Sequence, residues 1–293
     1  HPIVASCVGF AALLLAGLWL ALAPAPAQAA PGKDSATASV LAATPVTVTN
    51  PVTDTVTDTV TDTDLVTSTL RAGNRLGPIE DYIVYYGKGQ ADILKQFDLA
   101  IVQPDTLTPA ELREVQVAGT KVVVYLSVGE AEGGRPWWPK VNLDWILGRN
   151  ENWGSLYVDA SQRGWQDLLL DVAIPAMRKD RPFDGIFLDT LDTVDVYPAT
   201  KSGMVELVQR MREQYPDLIL VQNRGFSVLD DTGPLVDAVM FESMSSDFDF
   251  SARTYSKVER TEEPAFVEEM ARKHGLVGLV LDYALPENLA AIR

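Results

Sequence analysis

The chain has 293 residues, 47% of them hydrophobic, and carries 24 Lys and Arg against 40 Asp and Glu, a formal net charge of −16. That balance offers no basic footprint for a polyphosphate, so no nucleic-acid partner is expected. With only two histidines (His1 and His274) and one cysteine (Cys7), there is no basis for a Ser-His-Asp triad, a His-rich zinc site, an internal disulfide or a Cys-ligated cluster. The chemistry has to run on carboxylates, amides and hydroxyls.

In chain order, residues 3–23 form an apolar run without a charge, followed by the small-residue pattern Ala27-Gln28-Ala29. Residues 1–29 therefore read as a signal peptide, or as an uncleaved membrane anchor, since the run is long enough to span a bilayer. Residues 30–70 read as a disordered linker. Val-Thr-Asp-Thr recurs three times between Val52 and Thr63, and such a stretch buries too little apolar surface to offset its ordering entropy. A secreted or extracellular protein is expected, with a membrane or cell-wall tether as the alternative use of the N-terminal segment.

From about Gly77 short apolar runs alternate with amphipathic segments, the pattern of parallel strands joined by helices. Strands are expected at 82–86, 99–102, 121–128, 185–189, 218–222, 238–241 and 276–281, and helices at 109–118, 163–179, 201–214 and 262–273. Gly119, Pro216 and Gly275 end three of the helices. No Gly-x-Gly-x-x-Gly loop follows a strand, which disfavours a dinucleotide site. At strand after strand the residue past the apolar run is polar, as on the active face of a barrel. The expected fold is α/β, a TIM (β/α)8-type barrel over residues 71–293. Counted along the sequence, it stops before an eighth strand and helix. A monomer is expected.

Side chains alternate along a strand. If Asp189 faces the barrel axis, so do Phe187 and Gly185, while Ile186 and Leu188 face the helices. The same parity puts Glu242 on the axis with Met240. Two carboxylates on one rim are what glycosidic cleavage needs: one attacks the anomeric carbon or activates water, and the other protonates the leaving oxygen. Taken singly, either acid is as readily a helix cap.

Tyr85-Tyr86-Gly87, Tyr125-Leu-Ser-Val-Gly-Glu130-Ala-Glu132, Asp184-Gly-Ile-Phe-Leu-Asp189-Thr-Leu-Asp192, Gln222-Asn223-Arg-Gly225, Phe241-Glu242-Ser243 and Asp282-Tyr283-Ala284 together resemble glycoside hydrolase family 114. The family includes endo-α-1,4-polygalactosaminidases. The resemblance runs from about Tyr82 to the end, and YLSVGEAE and FLDTLD are its most specific stretches. It implies a (β/α)8 barrel, no metal or organic cofactor, and double displacement with retention. Asp189 would be the nucleophile and Glu242 the acid/base. The implied partner is a galactosamine-containing polysaccharide, which the acidic domain suits if the polymer is partly deacetylated and cationic.

The remaining candidates at the rim are substrate contacts. Tyr86 is favoured over Tyr85 by alternation. Glu130 and Glu132 contact sugar or hold an arginine such as Arg135. Asn223 bonds a sugar hydroxyl, orients a carboxylate or makes a turn. Asp282 and Tyr283 lie beneath the substrate. Asp192, three residues past Asp189, binds substrate or, as Asp-x-x-Asp, pairs with Asp189 on a divalent ion, as a metal-dependent transferase would. No metal site is expected. Trp137, Trp138, Trp145 and Trp153 offer stacking faces for pyranoses, although at least two of them are expected to pack their own loop. His274 is expected to support a helix C-terminus. The alternative to an enzyme is a non-catalytic glycan-binding surface protein on the same barrel.

Overall fold

The computed structural model describes residues 4–8, 74–249, 254–260 and 262–283. Eight parallel strands make the main sheet: β1 (Val4–Val8), β2 (Tyr82–Tyr85), β3 (Leu99–Val102), β4 (Lys121–Ser127), β5 (Gly185–Asp189), β6 (Ile219–Asn223), β7 (Ala238–Glu242) and β8 (Val277–Asp282). Strands β2 to β8 lie side by side in chain order, and β1 pairs with the outer edge of β8. All seven strands expected after Gly77 are present, within a residue or so at each end. Apart from the backbone of Val4–Val8, which lies inside the expected leader, the leader and linker lie outside the described residues.

Alternation along β2–β8 sorts the apolar residues into two layers. Ile186, Leu188, Leu220, Val239 and Phe241 face the helices, together with Leu207, Met211 and Val267 from the helices themselves. Tyr82, Leu99, Ile101, Val123, Phe187, Val221, Met240, Leu279 and Leu281 fill the interior. The sheet curls enough for the Tyr82 hydroxyl, on β2, to donate to the Val280 carbonyl on β8. This is the packed interior of a TIM-type barrel, not a pore. Gly185 is small for a reason: a Cβ there would run into the carbonyl and side chain of Ile219 on β6.

The helix expected at 163–179 is one helical run in three parts: Arg163–Asp167, a π-helical stretch Leu168–Ala173, and Ile174–Arg178. Lys201–Gln214 and Glu262–His274 form as the periodicity predicts. Gly119 and Gly275, at the ends of two helices, take positive φ of 108° and 63°, which glycine adopts without steric cost.

At the N-terminal ends of the strands, aspartates tie neighbours together. Asp184 accepts from Val122 N at 2.8 Å, and Asp237 accepts from Leu220 N at 2.9 Å. Asp237 is 1% exposed and also holds the Arg212 guanidinium at 2.7 Å, so its buried charge is matched.

Two small additions decorate the opposite, C-terminal face. Glu130–Ala131, Leu156–Val158 and Ile146–Arg149 form a three-stranded antiparallel sheet. Ser246–Asp249 and Thr254–Lys257 form an antiparallel pair just beyond β7. Among the described residues no helix is long and apolar enough to cross a membrane.

Candidate active site

The interior parity continues one step above the apolar layer, where it places six polar side chains on one rim: Tyr86, Tyr125, Asp189, Asn223, Glu242 and Tyr283. Asp189 and Glu242 close β5 and β7. Asn223 closes β6 between them and is 3% exposed. Its amide nitrogen donates to Asp189 Oδ1 at 2.8 Å and to Glu242 Oε2 at 2.6 Å. A single nitrogen so placed holds the two oxygens at most about 5.4 Å apart, because hydrogen-bond lengths this short leave no slack.

Each of these three residues is followed by a non-glycine residue at positive φ: Thr190 at 66°, Arg224 at 50° and Ser243 at 62°. Left-handed backbone is sterically unfavourable for these residues, most of all for β-branched Thr190. The chain therefore turns sharply away as soon as it has delivered each side chain. Thr190 is held there by its hydroxyl, which accepts from Gly129 N at 2.8 Å and bonds the Ser127 hydroxyl at 2.8 Å. Gly129 belongs to this joint, since a Cβ on it would collide with the Thr190 carbonyl and Thr193.

Burial and the neighbouring Asp189 push the Glu242 pKa above the usual carboxylate value, against the opposing hydrogen bonds from Tyr283 and Asn223. The Tyr283 hydroxyl donates to Glu242 Oε1. Burial, then the charge of Asp189, keeps the phenols of Tyr86 and Tyr125 firmly protonated. Their rings meet edge to face, 5.8 Å between centroids. Asp192 stands at the rim with a pKa pushed up to about 6, by burial first and Asp189 second, while Arg224 pulls the other way. Arg224 Nε lies 3.3 Å from Asp192, and its Nη1 donates to the Glu242 carbonyl at 3.0 Å.

The other candidates have different places. Asp282 follows Leu281, which faces the interior, so its own side chain points outward. Its Oδ1 accepts from Ser245 N at 2.7 Å and Ser246 N at 3.2 Å, fastening the loop after β7, while Tyr283, one position on, faces the rim. Glu130 is 7% exposed, with both oxygens occupied, one by Asn150 Nδ2 at 3.0 Å and the other by the Ser155 hydroxyl; burial pushes its pKa up. In this geometry it braces the small three-stranded sheet. Glu132 holds Arg135, which lies over the Tyr125 ring and reaches Gln103 Oε1 at 2.9 Å. Trp137 is buried, Trp138 and Trp145 pack on the core, and Trp153 is half-exposed. His274 lies 3.4 Å from Asp230 at the end of Glu262–His274. Tyr125 was not among the sequence candidates. Among the described residues no three His, Cys, Asp or Glu side chains converge as a metal site would require.

A barrel that presents two carboxylates on one rim, at the ends of strands two apart and within reach of one amide between them, has an arrangement that two-carboxylate sugar cleavage can use. The model of glycoside-hydrolase family GH114 matches residues 68–285, and the chain belongs to that family. It is similar to the glycoside hydrolase domain of PelA from Pseudomonas aeruginosa, with 26% identity and a TM-score of 0.63 over 72% of this chain and 87% of that one. It shares a fold with Aspergillus fumigatus Ega3, solved in complex with galactosamine, at 15% identity and a TM-score of 0.58 over 74% and 81% of the two chains. An uncharacterized protein of Deinococcus radiodurans is 30% identical over 157 residues, 47% of this chain and 49% of that one. Another, from Thermotoga maritima, is 24% identical over 152 residues, 45% and 46% of the two chains. The chain thus spans about half the length of these two relatives.

Proposed function

We propose that the chain is a secreted glycoside hydrolase that cleaves a galactosamine-containing polysaccharide with retention at the anomeric carbon. The observation that carries the mechanism is the pair of hydrogen bonds from Asn223. Carboxyl groups about 5–5.5 Å apart suit a nucleophile and an acid/base, whereas about 6.5–9.5 Å is needed to fit a water for inversion. The shared donor brings one oxygen of each carboxylate to within about 5.4 Å, in keeping with the first.

In the first step an Asp189 oxygen bonds to the anomeric carbon as the bond to the leaving oxygen breaks. Glu242, whose pKa is raised by burial and then by Asp189, acts as the acid and gives its proton to that oxygen. In the second step Glu242 takes a proton from water. The water oxygen then attacks the anomeric carbon and frees Asp189. The substrate class is supported by the family, by the galactosamine bound to the similarly folded Ega3, and by the crowd of carboxylates at the rim. Even with Glu242 protonated, Asp189, Asp192 and Glu132 outnumber Arg224 and Arg135, each of which already has an acidic partner. That field suits a polymer bearing protonated amines.

The test is release of reducing ends from partly deacetylated poly-galactosamine by the full chain, beside Asp189→Asn and Glu242→Gln. Both variants should lose about 10²–10⁴-fold in rate, the range that one positioned catalytic group contributes, with melting temperatures preserved. Proton NMR of the first product should show the anomer of the substrate bond. Polymer binding without release by the unaltered, folded chain would replace this reading with that of a glycan-binding protein.

A further inference from the structure

We infer that the antiparallel pair Ser246–Asp249 and Thr254–Lys257 builds the leaving-group side of the cleft, with Tyr255 as the platform on which the departing sugar rests. The inference depends on the glycosidase reading above and adds a subsite to it.

Phe248 and Tyr255 are directly opposite in the register of this pair, so both rings lie on one face of it. Their centroids are 4.9 Å apart. Tyr255 in turn stacks on Tyr283, 5.9 Å between centroids and 17° from parallel, and the Tyr283 hydroxyl holds Glu242. The rings form a continuous wall that begins at the acid/base carboxylate and leads away from it. Tyr255 is half-buried, and its phenol pKa is raised by burial and then by Glu242, which sets the ring within the field of that carboxylate.

The wall is held firmly. Asp282 grips its foot through Ser245 N and Ser246 N, and the Ser246 hydroxyl accepts from Tyr283 N at 3.1 Å. Arg260 Nη2 reaches both oxygens of Asp247, at 2.8 and 2.9 Å.

An acid that protonates a departing oxygen must face the group that departs. Asn223 and Asp189 occupy one side of Glu242, and Tyr283 and Tyr255 occupy the other. The sugar leaving with the protonated oxygen therefore meets the aromatic wall. Pyranose C–H faces pack on such rings, and a tyrosine adds a hydroxyl for the sugar's own hydroxyls. A second aromatic pair, Tyr157 and Tyr197, belongs to the other addition, where Tyr157 lies opposite Glu130 in the three-stranded sheet.

Two substrates test this with the full chain: partly deacetylated poly-galactosamine, and α-galactosaminyl fluoride, whose leaving group carries no sugar. Tyr255→Ala should lower kcat/KM on the polymer by about tenfold, the scale of one aromatic stacking contact, and leave the fluoride within about twofold. Tyr255→Phe should keep most of the polymer rate, and melting curves confirm that both variants fold. Equal losses on the two substrates would mean that the change distorts the reacting centre, and no loss on either would mean that the sugar does not rest there. Each of these outcomes overturns the inference while leaving the glycosidase reading intact. An unaltered chain inactive on both substrates removes the glycosidase reading and the inference together.

Discussion

Glu242 has little water around it, a second carboxylate close by, and two donors working in the opposite direction. Tyr283 is the donor that can be removed with the least change of shape. Its hydrogen bond stabilises the charged form of Glu242, so Tyr283→Phe should raise the Glu242 pKa further. Because the proposed acid must start protonated, the alkaline limb of the kcat/KM–pH profile should move to higher pH, and a limb that stays or moves down would contradict this role for Tyr283. Asp192 gives a matching expectation for stability. Its folded pKa of about 6 lies above the ordinary 3.8, so between those values the native state holds more proton than the unfolded chain. Stability attributable to Asp192 is therefore full below about pH 4 and falls as pH rises towards 6. Asp192→Asn lacks that fall. Its melting temperature, relative to the unaltered chain, should climb between pH 4 and 6 and then level off. A difference constant with pH would show that Asp192 titrates normally. How these residues divide at the rim follows from a single rule of alternation. It identified Asp189, Glu242 and Tyr86 from the sequence. Applied evenly, the rule also selects Tyr125, two residues after the inward Val123, and turns Asp282 away while keeping Tyr283. Glu130 obeys a different rule, because it lies past β4 in a strand of another sheet.

The strands β5, β6 and β7 use one device three times: a functional side chain at the last position, then a residue in the left-handed region. Each such residue costs about 1–3 kcal/mol and persists only where its surroundings hold it. For Thr190 the holding group is the hydroxyl that Gly129 N donates to. Thr190→Val keeps the branched shape, keeps the backbone strain and leaves that amide without its acceptor. It should destabilise the fold by about 1–3 kcal/mol, the cost of an unmade buried hydrogen bond, as read from urea unfolding. Unchanged stability would show that the joint does not depend on the hydroxyl. None of these turns is marked in the sequence by glycine or asparagine at the residue concerned, so periodicity alone does not locate them. The Phe248–Tyr255 pair was equally illegible. Its strands are four residues each, and its placement depends on Asp282, 36 and 37 residues further along the chain.

Over the whole molecule, the seven strands after Gly77 and their helices were readable because a parallel barrel buries each strand on both faces, which leaves compact apolar runs between amphipathic segments. Strand Val4–Val8 was not readable as part of the sheet, since a charge-free apolar run at a chain's start carries the pattern of a leader. The interior has a further consequence for the proposed reaction. Phe187, Val221, Met240 and Leu281 lie directly beneath the rim and are each at most 3% exposed, so the reacting centre rests on a dry floor. In the proposed second step water therefore comes from the rim side, and the opening that the first product vacates, along Tyr283 and Tyr255, gives it a way in. On the proposed mechanism, hydrolysis and re-addition of a sugar hydroxyl then compete at the same opening, so a higher concentration of free chain ends around the protein should favour rearranging the polymer over shortening it.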